Sequence, residues 1–156
     1  MEASVPDDRA QIRELLNDMA AGHRAKDAAQ IVAGYAPDIV LYSLAPPLRS
    51  HRGDLLDIGG GRKVDMTTAE GVQRWLDGFG DAPYDYEVRD LEVAAGGDAA
   101  YAHGLARMGS AGAFSMWFRI TFGLRKAQGR WQITHIHESV PFNMDQTFKA
   151  AIDLQP

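Results

Sequence analysis

The chain has 156 residues, enough for one domain with a sizeable core, and its 46% hydrophobic and 24% charged content is ordinary for a globular protein. A net charge of −5 argues against nucleic-acid binding, which needs a basic face, and the absence of cysteine removes disulfides, thiol nucleophiles and thiolate metal sites. No window approaches the run of about 18 apolar residues that spans a membrane. The opening MEASVPDDRAQIRE lacks the basic and apolar regions of a signal peptide, so the expected location is the cytoplasm.

After a short polar tail, Asp7 or Asp8 is placed to cap a helix in which Ile12, Leu15, Leu16 and Met19 recur at helical spacing, with Ala20 and His23 extending the stripe. Asp27 opens a second helix carrying Ile31, Val32 and Tyr35, and Pro37 closes it. Residues 39 to 44 read as a strand. Residues 48 to 66 have no sustained period, and Gly59-Gly60-Gly61 lacks the spacing of a phosphate-binding loop, so a lid or surface insertion (about 54 to 66) is expected. Thr67 to Glu70 reads as a capping box ahead of a helix whose Val72, Trp75, Leu76 and Phe79 form one apolar stripe.

From there the period drops to two. Tyr84, Tyr86 and Val88 alternate, then Leu91 and Val93 continue on the opposite parity, which predicts a bulge near Arg89-Asp90. A turn at Gly96-Gly97-Asp98 leads into a strand over 99 to 108 and a small-residue loop over 109 to 113. Residues 115 to 125 put Met116, Phe118, Ile120, Phe122 and Leu124 on one face, with Trp117, Arg119, Thr121 and Arg125 on the other. A hairpin at Ala127-Gln128-Gly129 returns the chain along 131 to 140, and Asn143 is placed to cap a short final helix over about 143 to 154. Helices first and an antiparallel sheet afterwards define the α+β class, in a single domain over 1 to 156 with its core at about 8 to 142.

The element order, with YAPDIVLYSLAPPL, GGDAAYAHGLAR and GRWQITHIHES, resembles the nuclear transport factor 2-like superfamily, and within it the SnoaL-like proteins. The ending also resembles the association domain of calcium/calmodulin-dependent protein kinase II. The resemblance implies a cone-shaped α+β barrel: three helices of the N-terminal half close over a strongly curved, mostly antiparallel sheet and leave an apolar cavity. It also implies a homodimer through the outer sheet face. Members include isomerases, cyclases, dehydratases, hydrolases and catalytically inert binding or association domains, and a fold alone does not choose among them. Laid on the ketosteroid isomerase pattern, the tyrosine position falls on Met19, the base on Ser43 and the hydrogen-bonding acid on Phe122, so that chemistry is absent. The cavity arginines of the kinase association domain fall on Ala106, Phe122 and Glu138 and are absent too.

On this superposition the cavity is expected to be lined by Met19, Tyr42, Ser43, Trp75, Ala106, Phe118, Phe122 and Ile136, with Tyr84 and Tyr86 near its mouth. In the last strand Thr134, Ile136 and Glu138 would face inward, while His135, His137 and Ser139 would join Trp117, Arg119 and His103 outside; one bulge would reverse this. Glu138 then reads either as a desolvated general acid or base, or as a mouth carboxylate paired with Arg119 or Arg107. His135 and His137 have three readings: two ligands of an incomplete metal site, an acid–base pair oriented by Ser139 or Glu138, or structural imidazoles at a dimer interface. Arg119 beside Trp117 reads as an anion or stacking contact, or as a salt bridge to Glu87, Asp90 or Glu92. Trp117, Tyr101 and Leu105 supply apolar area for a homodimer. The expected ligand is a small apolar or aromatic molecule. No cofactor, metal, nucleic acid or membrane enters the expectation, and any enzyme would be a cofactor-independent isomerase, cyclase, lyase or hydrolase.

Overall fold

The computed structural model describes residues 7–110 and 112–156; the polar tail expected at the start lies outside them. Among the described residues three helices, α1 (Asp8–Arg24), α2 (Ala28–Val32) and α3 (Ala69–Asp77), pack with eight strands: β1 (Tyr35–Tyr42), β2 (Ser50–His51), β3 (Leu56–Gly59), β4 (Arg62–Val64), β5 (Tyr84–Gly96), β6 (Ala99–Ser110), β7 (Phe114–Ala127) and β8 (Arg130–Ser139). Six of them form one sheet in the order β2-β1-β8-β7-β6-β5, with β1 parallel to β8 and every other pairing antiparallel. β3 and β4 form a separate hairpin. This is the expected α+β architecture with a curved, mostly antiparallel sheet.

Local chemistry accounts for the element starts. The Asp7 carboxylate accepts from the Ala10 amide at 2.7 Å and Asp27 from the Gln30 amide at 3.1 Å, so each caps a helix. Ile12, Leu16, Met19 and Ala20 turn inward from α1 and meet Phe122, Ile39 and Ile133 in a continuous core. Asp8, in the first turn of α1, accepts from Lys126 at 3.1 Å and the Trp131 indole at 3.0 Å, which ties the helix to the β7–β8 hairpin.

Curvature comes from breaks in register. The bulge expected near Arg89-Asp90 is present: pairing with β6 shifts between Arg89 and Glu92, and Asp90 takes φ 57°. Gly104 makes room for it, since a Cβ there would stand 2.9 Å from the Arg89 carbonyl oxygen and 3.2 Å from Val88 Cγ1. A second shift lies between Gly123 and Leu124, where Leu124 pairs with Ile133 and Gly123 with His135, leaving Thr134 as the extra residue of β8.

Five expectations are corrected. Tyr35 opens β1 instead of continuing α2, because it pairs with Ile133; Pro37, expected to close that helix, lies in the irregular stretch of β1 before Val40, where no ladder donor is required. In the insertion, Leu56 and Val64 pair and are both buried, so it is a short hairpin. Thr68 alone caps α3, accepting from Gly71 N at 3.1 Å; Thr67 is buried and donates to Asp65, while Glu70 turns to Arg74 at 3.2 Å. Thr134 does not face the core, which Ile133 fills instead. The final helix is absent: Asp145 accepts from both the amide and the hydroxyl of Thr147, a local turn that competes with helix, and Phe142 bridges Ala150.

If the β5 bend rests on the missing side chain at Gly104, Gly104→Ala forces backbone apart and costs about 2 kcal/mol, within the range for overpacking. Urea unfolding measures it; an unchanged midpoint would show that the bend tolerates a Cβ.

Candidate functional site

Curvature leaves a cavity of about 150 Å³ between the sheet and the helices. Its walls are apolar over most of their area: Met19 from α1, Leu41 from β1, Leu56 and Ile58 from β3, Met66, Met108 from β6, Ile120 from β7 and Ile136 from β8. Aromatic rings close one side. Trp75 meets Tyr84 edge-on at 5.3 Å, Phe79 stacks on Tyr84 at 4.7 Å, and the His23 imidazole lies flat on Tyr86 at 4.0 Å. The polar side-chain groups on the walls belong to His23, Tyr35, Ser43, Trp75, Tyr84, Tyr86 and Glu138.

Glu138 pairs with Ile120 across β7 and β8, and this register turns its side chain into the cavity. Burial pushes its carboxyl up to about 7, while the Leu44 backbone amide favours the anion and pulls the other way. The residue is half-buried, and besides the cavity it lines an outer groove formed by residues 42–49 and His137. Tyr35, Tyr84 and Tyr86 are driven upward by burial and then by the Glu138 charge, so their hydroxyls stay protonated. The Tyr84 hydroxyl donates to Met108 Sδ at 3.8 Å. Desolvation drives His23 down to about 3, with Arg24 adding to the effect, so the ring is neutral. Among the titratable residues on the walls, Glu138 alone changes charge near neutral pH.

Of the residues expected at the cavity, Met19, Ser43, Trp75, Ile136 and Glu138 line it, and Tyr84 and Tyr86 join them. Ala106, Phe118 and Phe122 do not: all three are fully packed in the core, and Ile120, on the same face of β7, is the residue that reaches the space. Tyr42 is also corrected. It follows inward-facing Leu41, so it points outward, 37% exposed, with its ring edge-on to His135 at 4.6 Å and His137 at 5.2 Å.

His135 and His137 lie on the face of β8 opposite Glu138. The Nδ1–H of His135 donates to the Val40 carbonyl at 2.8 Å. His103 lies 3.5 Å from Glu92 on β5, and Thr121 of β7 stands between it and His137 in the sheet register. Among the described residues no group of three or more His, Asp or Glu side chains is arranged to hold a metal ion. Arg119 donates to Ser139 Oγ at 3.1 Å, not to the acids expected of it; Glu87 is taken by Arg107 at 2.9 Å. Neither arginine therefore pairs with Glu138. Arg89 lies 4.6 Å above the Trp117 ring and covers it, which removes most of that residue's contribution to an apolar outer face.

His23 and Tyr35 were absent from the expected site. Their signals were weak: a histidine four residues after Met19 on an apolar stripe, and a tyrosine whose strand begins earlier than its local pattern implies.

Helices packed over a bent sheet, with an apolar cavity holding one carboxyl between them, define an α+β protein of the nuclear transport factor 2-like fold. The chain belongs to the SnoaL-like domain family, whose sequence pattern matches residues 12–143. An NTF2-like protein of unknown function from Pseudomonas putida has a similar structure, at TM-score 0.75 and 30% identity over 96% of this chain and 99% of that one. A candidate calcium/calmodulin-dependent protein kinase II association domain from Xanthomonas campestris superposes at TM-score 0.60 and 17% identity, over 88% and 92% of the two chains. A candidate scytalone dehydratase from Novosphingobium aromaticivorans does so at TM-score 0.60 and 12% identity, over 92% and 91%. The last two share the fold alone. Comparison with curated proteins returned no match.

The Glu138 proton gives the site a measurable signature. The folded protein holds it up to about pH 7, whereas the ordinary carboxyl value is 4.5. Between these values the folded state binds more protons than the unfolded chain, so stability present at low pH is lost as pH rises through 7. Wild type should lose about 3 kcal/mol relative to Glu138→Gln across that window, as measured by urea unfolding. A difference that stays constant with pH would mean a solvated carboxyl.

Proposed function

We propose that the cavity binds a single-ring apolar or aromatic compound and that Glu138 carries a proton to or from it. Size supports the first part, since a cavity of about 150 Å³ matches one ring. The observation that carries the second is a lone carboxyl turned into an apolar cavity, where burial pushes it up to about 7. A carboxylate poised there is close to half ionised at neutral pH, so it can take a proton from an activated C–H or give one to a departing oxygen. Tyr35, Tyr84 and Tyr86, kept protonated, serve as hydrogen-bond donors and not as bases. The reaction classes that fit are cofactor-independent isomerisation, cyclisation and dehydration.

Exchange of α-protons into heavy water tests this without knowledge of the natural substrate. With cyclohexanone as the probe, wild type should accelerate exchange, with a rate rising through about pH 7 as Glu138 ionises. Glu138→Gln should lose about 100-fold or more of it. Binding of the probe with no Glu138-dependent exchange would leave a non-catalytic pocket protein.

Self-association on the outer face belongs to the same reading. Tyr101, 57% exposed and stacked on His103 at 6.3 Å, and Tyr42 support a second copy as partner, although Trp117 is covered within the monomer. Light scattering at micromolar concentration should give twice the 17.1 kDa chain mass; the monomer mass would remove this part of the proposal.

A further inference from the structure

His23 is the group in the cavity that the proton-transfer reading leaves without a task. Its ring is fixed on several sides: flat on Tyr86 at 4.0 Å, edge-on to Trp75 at 6.2 Å and inclined to Tyr84 at 6.0 Å. Nδ1 is buried and has no hydrogen-bond partner in the protein. Buried polar atoms without partners are uncommon in folded proteins, and each calls for a physical account. The rings packed around the imidazole, those of Tyr86, Trp75 and Tyr84, leave that nitrogen unpaired. The residue also lines the cavity, so a ligand filling that space would lie beside it. A half-turn of the ring about its Cβ–Cγ bond keeps the stack on Tyr86 while exchanging the nitrogen and carbon positions. Nδ1 is closed off in the ring orientation shown, and the half-turn carries it to the opposite edge of the ring.

We propose that His23 recognises a hydroxyl group on the bound ring, so that the ligand class is a phenol or cyclic alcohol and not a plain hydrocarbon. This rests on the single-ring ligand proposed above and adds what that ring carries. The chemistry favours a hydroxyl over other oxygen groups. A neutral imidazole has one N–H and one lone pair, and a hydroxyl both donates and accepts, so it satisfies whichever nitrogen faces it. A ketone oxygen satisfies only the N–H, and a carboxylate would bring a second negative charge beside Glu138. His23 is a specificity residue on this reading; the proton that moves is held by Glu138.

Phenol and toluene are near-isosteric probes that differ in the hydroxyl. His23→Phe keeps a flat ring against Tyr86 and removes both nitrogens. Calorimetric titration of wild type should give about tenfold tighter binding of phenol than of toluene, the factor expected from one buried hydrogen bond. In His23→Phe that preference should vanish while toluene binds as well as before or better. A phenol preference that survives in the variant, or equal binding of the two probes to wild type, would overturn the proposal while leaving the apolar cavity intact. Failure of wild type to bind either probe would overturn the single-ring reading and this one with it. An independent measurement needs no variant: the imidazole nitrogen resonances of His23 in 15N-labelled wild type should move with phenol and stay in place with toluene. Nitrogens indifferent to phenol would also overturn it.

Discussion

One extra residue in β8 decides what the cavity contains. Below Thr134 the inward positions are Trp131 and Ile133; above it they are Ile136 and Glu138. In an unbroken strand the parity set by Trp131 and Ile133 would carry His135 and His137 into the cavity and turn Glu138 outside. The bulge exchanges an imidazole pair for a carboxyl. It is held by the Leu124–Ile133 pair on one side and by the His135 bond to the Val40 carbonyl on the other, so both flanks are pinned.

The chemistry of the site follows from desolvation acting in opposite directions on different groups. Loss of water raises a carboxyl and lowers an imidazole, and both effects favour the neutral form. Glu138 and His23 are therefore both driven towards neutrality within the same apolar walls. The phenols move further from titration, which leaves one proton in play and several fixed hydrogen-bonding groups around it. On the outer face the opposite regime holds: Arg107 with Glu87, His103 with Glu92 and Arg119 with Ser139 are at least partly solvated contacts between neighbouring strands.

The fold was legible because its signals are local. Alternation in β7, the bulge signal at Arg89-Asp90, the stripe of α1 and the turn glycines each state their element within a few residues, and together they leave few topologies. The inward direction of Glu138 was legible as well, through the even face of β7. Misreadings arose where a distant partner decides. Nothing near Tyr35 announces that it will pair with Ile133, so helical spacing misled. Phe118 and Phe122 carry the right parity for the cavity, yet parity cannot tell a ring that fills the centre from one that borders a space. The final helix failed for a local reason, since the Asp145–Thr147 turn offers the backbone a competing set of bonds.

The β3–β4 hairpin, outside the main sheet, supplies Leu56 and Ile58 to the cavity, and Met66 follows it closely in the chain. One wall of the pocket is thus made from a segment that the sheet does not need for its own closure. Connections of that kind accept changes in length and sequence more readily than core strands do. The cavity therefore has two builders: the bent sheet fixes the carboxyl, and a hairpin outside that sheet closes the wall beside it.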